Sequence, residues 1–160
     1  MRILGIDPGF ERVGIAVIEK NNETQNKEQL VYSECFKTLP SLHFNERLGL
    51  IGEEIKNIIN KHNPDILAIE TLLFNSNQKT AMKVAEARGV IVYEAITKKL
   101  EICEYTPLQI KIAIAGYGRA DKKQVTNMVK QLIKIEKNIK YDDEIDAIAV
   151  SLTCSASYRA

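Results

Sequence analysis

Four carboxylates in this chain stand where apolar runs end or helices begin. Asp7 closes Ile3-Leu4-Gly5-Ile6-Asp7, directly before the turn pair Pro8-Gly9. Glu70 closes the apolar run Asp65-Ile66-Leu67-Ala68-Ile69-Glu70, and a charge ending such a run needs a partner. If the two runs are neighbouring parallel strands, both acids emerge at one sheet edge, where α/β proteins place ligand sites. Asp143 and Asp146 lie three residues apart near the start of the last helix, hence on one of its faces. The apolar continuation Ala147-Ile148-Ala149-Val150 would lay that helix on the sheet and carry the pair toward the other two acids. Gathered carboxylates repel one another unless protonated or neutralised by cations. Hard oxygen donors suit Mg²⁺ or Mn²⁺, and two such ions about 4 Å apart can drive phosphodiester hydrolysis. All but Glu70 also have a plainer reading. Asp142, Asp143 and Glu144 are acids of a first helical turn, favoured by the helix dipole, and Asp7 is a turn residue. The four together favour the metal site.

The cations fall in a second pattern. Lys111 interrupts the apolar helix Ile110-Lys111-Ile112-Ala113-Ile114. Lys122 follows the loop Gly116-Tyr117-Gly118-Arg119-Ala120-Asp121, where a helix N-terminus and a lysine together hold a phosphate. Arg119 and Lys123 flank it and belong to the same candidate DNA-binding set. Lys130, Lys134 and Lys137 read as a solvated helix face. Phe74 opens a polar loop after Glu70 and fits either a wedge against an unstacked base or an ordinary core position.

The elements that must position these groups follow from the hydrophobic period. Residues 3–7, 13–18 and 30–37 read as strands joined by short turns, an antiparallel meander. Leu48, Ile51, Ile55, Ile58 and Ile59 mark an amphipathic helix over about 42–62, stopped by Asn63-Pro64. Residues 65–70 form a buried strand, 80–99 a helix and 101–106 a short strand. Thr106-Pro107 opens a helix to about 115, and two more helices span about 121–135 and 142–156. The order βββ-α-β-α-β-α-α-α predicts an α/β fold, a mixed sheet with helices on both faces, in one domain over 1–160.

Composition bounds the remaining choices. With 160 residues, 45% hydrophobic and 27% charged, the chain has ordinary globular proportions. Its net charge of +1 argues, taken alone, against a strongly basic nucleic-acid binder. Divided along the chain, however, the charge is −2 over 1–97, +6 over 98–140 and −3 over 141–160. Cys35, Cys103 and Cys154 offer neither a disulfide framework nor a CxxC metal spacing. No signal or membrane-spanning segment is read, so a cytoplasmic location is expected.

Six motifs in register are similar to the RuvC family of Holliday junction resolvases: Ile-Leu-Gly-Ile-Asp7-Pro8-Gly9, Ala-Ile-Glu70, Ala87-Arg88-Gly89-Val90, Gln-Ile-Lys111, Gly-Tyr-Gly-Arg-Ala-Asp-Lys122-Lys-Gln-Val, and Asp143-Glu-Ile-Asp146-Ala-Ile-Ala. The resemblance covers nearly the whole chain. It implies a ribonuclease H-like fold with a five-stranded mixed sheet, and a homodimer that nicks two opposed strands of a four-way DNA junction, leaving 5′-phosphate and 3′-hydroxyl ends, in recombination and DNA repair. It implies that Asp7, Glu70, Asp143 and Asp146 are the catalytic acids holding two Mg²⁺, with Mn²⁺ able to substitute, and that Lys111 and Lys122 act near the scissile phosphate. The helix over 80–99, with Ala81, Ala85, Ala87 and Gly89, falls where the family dimerises, although packing on its own sheet explains those residues equally. A RuvA–RuvB branch-migration complex is the implied partner. The family's aromatic stands three residues after the glutamate, where this chain has Leu73 and places Phe74 one step later.

Three other readings remain at this level. A YqgF-like nuclease on the same scaffold would cut structured RNA. An actin-like ATPase or sugar kinase shares the Gly-x-Asp opening but generally needs two such domains. A non-catalytic junction binder would not need four matched acids.

Overall fold

The computed structural model describes residues 1–21, 28–72 and 78–158. Five strands, β1 (Arg2–Asp7), β2 (Arg12–Glu19), β3 (Gln29–Lys37), β4 (Ile66–Glu70) and β5 (Glu101–Tyr105), form one sheet in the order β3-β2-β1-β4-β5. The first three pair antiparallel, whereas β4 runs parallel to both β1 and β5. Parallel pairing requires crossovers, and helices supply them. α1 (Phe44–His62) precedes β4, α2 (Gln78–Thr97) precedes β5, and α3 (Pro107–Ala115), α4 (Lys122–Leu132) and α5 (Asp142–Ser157) follow.

Alternation along each strand divides the core in two. Leu4, Ile6, Val13, Ile15, Val17, Leu67 and Ile69 pack against α1 and α2. Ile3, Ala16, Ile18, Ile66 and Ala68 face α3, α4 and α5. α5 is buried almost all round, from Ile145 to Ser155, and therefore carries apolar or small residues on every side.

The seat of α5 is cut by small residues. Gly5 stands opposite Ala16 on one neighbouring strand and Ala68 on the other, a shallow row across three central strands. A Cβ at Gly5 would lie 2.4 Å from the Ala147 carbonyl oxygen and 2.7 Å from Ser151 Cβ. A Cβ at Gly14 would lie 1.8 Å from the Asp143 carbonyl oxygen. The helix thus rests on backbone at the two points where a side chain would lift it.

Local signals set the helix ends. Thr106 caps α3, accepting from the Gln109 amide at 3.2 Å while Gln109 Oε1 accepts from the Thr106 amide at 2.8 Å. Asn63 ends α1 in the left-handed region, φ 46°, with its amide donated to the Ile59 carbonyl. α4 ends at Leu132, earlier than the apolar period predicts. Ile133 continues in extended conformation, φ −136°, and still buries its side chain, so the pattern outlasts the helix.

Candidate active site

Pairing of β1 with β4 sets the first two acids side by side. Ile6 lies opposite Ile69, so the strands end together on Asp7 and Glu70. Both continue the face of Gly5 and Ala68, and that face belongs to α5. α5 brings the Asp143 backbone against Gly14, which in turn pairs with Asp7 across β1 and β2.

The electrostatics place all four acids in one cluster. Burial pushes the Asp7 carboxyl well above the usual carboxylate range, and the charges of Asp146, Glu70 and Asp143 push it further, against Lys122. Burial, with Asp146 beside it, carries Glu70 up to about 7, against the opposing pull of Lys111 and Lys122. Asp146 is also raised, first by burial, while Lys122 pulls it down. Glu70, Asp146, Lys111 and Lys122, with Pro107, Ile110 and Val125, line a cleft of about 250 Å³.

The surroundings of Lys122 are acidic. Asp121 caps α4, its carboxylate accepting from the Gln124 amide at 2.8 Å, so the cap occupies the N-terminus expected to bind phosphate. The Lys122 ammonium instead stands 3.2 Å from Asp142 and 3.3 Å from Asp146. Arg119 and Lys123 are exposed, with no ion pair among the described residues. Phe74 lies outside the described residues.

Sequence reasoning missed the residues on the far side of Asp143. Arg12 Nε is 3.7 Å from Asp143 Oδ2, and the Cys35 thiol donates to the same oxygen at 3.8 Å. Lys137 is not simply solvated. Its ammonium pairs with buried Glu144 at 2.5 Å and donates to the Ser33 carbonyl, while the Ser33 hydroxyl donates to Glu144 at 2.7 Å. Ser33 and Cys35 pair with Ala16 and Gly14, so period-two alternation was the available signal that they face α5. Arg88 joins α2 to the end of β4, donating to the Glu70 carbonyl at 3.4 Å and pairing with Glu104 at 2.5 Å.

The donor set fits divalent cations by its chemistry: hard carboxylate oxygens whose affinity for protons is raised by burial and mutual repulsion. Among the described residues no three acids, histidines or cysteines are grouped tightly enough to hold an ion as they stand. Each acid of the Asp143–Asp146 pair has a cation beside it, Arg12 on Asp143 and Lys122 on Asp146.

These shifts predict an unusual pH dependence. An acid raised in the folded state binds its proton more tightly than in the unfolded chain. Its contribution is therefore favourable at low pH and declines as pH rises toward the folded value. In metal-free buffer, Glu70→Gln should match the wild type near pH 4.5. It should exceed it by about 1–3 kcal/mol at pH 8, because the variant lacks a carboxyl that ionises near pH 7. Denaturant unfolding of both proteins across that range checks this, and equal stability at pH 8 would count against the buried, repelled carboxylate.

Comparison with known proteins follows the same lines. The sequence model of crossover junction endodeoxyribonuclease RuvC matches residues 3–154. The RuvC of Halothermothrix orenii is 48% identical over 99% of this chain and 94% of its own length. That of Finegoldia magna is 45% identical over 95% and 91%. Among solved structures, Thermus thermophilus RuvC in complex with Holliday junction substrate superposes with a TM-score of 0.88 at 30% identity, covering 97% of this chain and 93% of that one.

Proposed function

This chain belongs to the RuvC family of crossover junction endodeoxyribonucleases, and on that premise we propose how its own residues resolve a four-way DNA junction. The expected ribonuclease H-like fold and nuclease class are those of the family. The observation that carries the residue-level reading is the convergence of Asp7, Glu70, Asp143 and Asp146 from β1, β4 and α5 into one charged cluster beside Lys111 and Lys122. The family is metal-dependent, and in our reading these four acids hold two Mg²⁺. Bound there, the ions would neutralise the acids and supply Lewis-acid activation of the scissile phosphodiester and its attacking water.

The protein's own groups position the substrate. Lys111 and Lys122 line the cleft with Glu70 and Asp146, and in our reading they hold the scissile phosphate. Asp7 and Glu70, half-buried where β1 and β4 end beneath α5, supply carboxylate oxygens to the same site in this reading. Residues 1–160 act in this reading as one nuclease domain in the cytoplasm. Among the described residues no helix is long and apolar enough to cross a membrane. Delivery of the junction by RuvA–RuvB rests on the family alone. The test is a synthetic four-way junction incubated with Mg²⁺ and with EDTA, read on a sequencing gel. Paired symmetric nicks with 5′-phosphate ends are expected only with Mg²⁺, and cleavage of structured RNA in preference to the junction would favour the YqgF-like alternative.

Symmetric cleavage implies two copies, and α2 supports the pairing. Met82, Gly89, Tyr93 and Ile96 recur at helical spacing on its outer face, with Met82 71% and Tyr93 65% exposed. A Cβ at Gly89 would meet nothing within 4 Å, so the monomer does not require glycine there. Mid-helix glycine costs about 1 kcal/mol against alanine, and close approach of a second helix supplies the reason. Ala87, by contrast, is fully buried against its own sheet. Ile96→Asp should convert the dimer to monomer in sedimentation velocity and uncouple the two nicks. A dimer that survives both Ile96→Asp and Tyr93→Asp would place the interface elsewhere.

A further inference from the structure

We propose that Arg12 and Lys37, seated on the ring of Tyr141, form a second phosphate-binding rim on the β2–β3 side of the catalytic acids, gripping the cleaved strand across from Lys111 and Lys122. This rests on the reading of the four acids as the cutting site and extends it to the path of the strand.

Arg12 opens β2 and Lys37 closes β3, and the two stand directly opposite in register. They therefore project together at the sheet edge where β1 ends on Asp7. The Lys37 ammonium lies 3.4 Å from the centroid of the Tyr141 ring, and the Arg12 guanidinium carbon lies 5.7 Å from it. Tyr141 is the N-cap residue of α5, directly before the acidic turn. A cation–π seat keeps a long side chain extended and reduces the entropy lost on ordering it. Lys140, exposed and next in the chain, adds to the positive field.

The cations of this rim are available. Lys37 has no carboxylate within ion-pair distance among the described residues, and Arg12 is 51% exposed. Arg12 approaches Asp143 through Nε, and its two terminal nitrogens are the pair that makes the forked contact of guanidinium with phosphate.

Position gives the rim its use. Asp143 faces Arg12, whereas Glu70 and Asp146 face Lys111 and Lys122, so the acids lie between two sets of cations. A strand held on one side alone pivots about the scissile phosphate, and a hold on both sides fixes it for in-line attack. Flanking phosphates arrive at regular intervals along a strand, and each neutralised phosphate releases counterions.

The experiment measures binding of a fluorescent four-way junction against salt concentration, in an Asp7→Asn background so that turnover does not intervene. Arg12→Gln with Lys37→Gln should lower the slope of log affinity against log salt by roughly 3.6 for the dimer, about 0.9 for each of the two phosphates per protomer that are no longer neutralised. Affinity near 0.15 M salt should fall about tenfold or more. The charge-keeping pair Arg12→Lys with Lys37→Arg should restore the slope. A fall of less than about one unit of slope, or failure of that pair to restore it, overturns the rim. If the Asp7→Asn parent itself binds the junction no better than linear duplex, the function reading fails instead. Both side chains are exposed, so a matching circular dichroism melt confirms that folding is not the cause.

Discussion

Asp7→Asn is expected to reduce strand cleavage roughly a thousandfold, equivalent to about 4 kcal/mol of transition-state stabilisation, without loss of fold. Asp7 ends the central strand β1 and feels all three other acids, so its removal deprives the cluster of its shared member. The amide has nearly the same shape, and it removes a buried charge that its neighbours repel. The variant should therefore melt no lower than the wild type in metal-free buffer, and higher above neutral pH. Junction affinity should stay within about threefold, because phosphate contacts supply most of the attraction to DNA and Asp7 makes none. Gel cleavage, mobility shift and a melting curve on one preparation separate these outcomes. Residual cleavage near the wild-type rate would remove Asp7 from the catalytic set, and a fall in melting temperature would show a structural role.

Gly14→Ala is expected to lower cleavage about a hundredfold or more through the placement of Asp143, although position 14 bears no functional group. The new Cβ would lie 1.8 Å from the Asp143 carbonyl oxygen and 3.1 Å from Asp7 Cβ. Both partners are rigid: one is backbone in the first turn of α5, the other the end of β1. α5 must therefore rise at its N-terminus, which carries Asp143 away from Asp7 and strains the Lys137–Glu144–Ser33 anchor. Overpacking of this kind costs about 1–3 kcal/mol, so a folded variant with a lowered melting temperature is expected. The informative readout is divalent-ion affinity by calorimetry, which should weaken in step with cleavage. An alanine variant with normal ion affinity and normal cleavage would show that the helix has room to shift without disturbing the acids.

Much of the site was legible in the chain because its acids sit at element ends, and element ends have local causes. Pro8-Gly9 stops β1 after Asp7, and Asn63-Pro64 separates α1 from the strand that ends at Glu70. Lys111 was legible as a polar interruption of an apolar helix, and it lines the cleft. Lys122 was legible as a candidate site residue and lines the cleft, but its partners were not legible. A sequence shows that a lysine begins α4, yet not that α5 presents Asp142 and Asp146 to it. Lys137 was misread for the same reason, since an exposed helix pattern and a single buried partner on another element look alike in one dimension. Arg12, Cys35 and Ser33 carried only the weak signal of alternation.

The sequence by itself determined the strands, the helices, their caps and the ends at which four acids emerge. Period, proline, glycine and capping residues act over a few neighbours. It also determined, through Gly5, Gly14, Ala16 and Ala68, that one sheet face is shallow enough to seat a helix. The tertiary structure alone decided which cation meets which acid. Lys122 stands on Asp146 and Arg12 on Asp143 because α4, α5 and β2 converge from distant parts of the chain. It also turned a near-neutral chain into a site with acids at its centre and cations on either side. Charge pairing depends on distances of a few ångströms between elements, and only packing sets those.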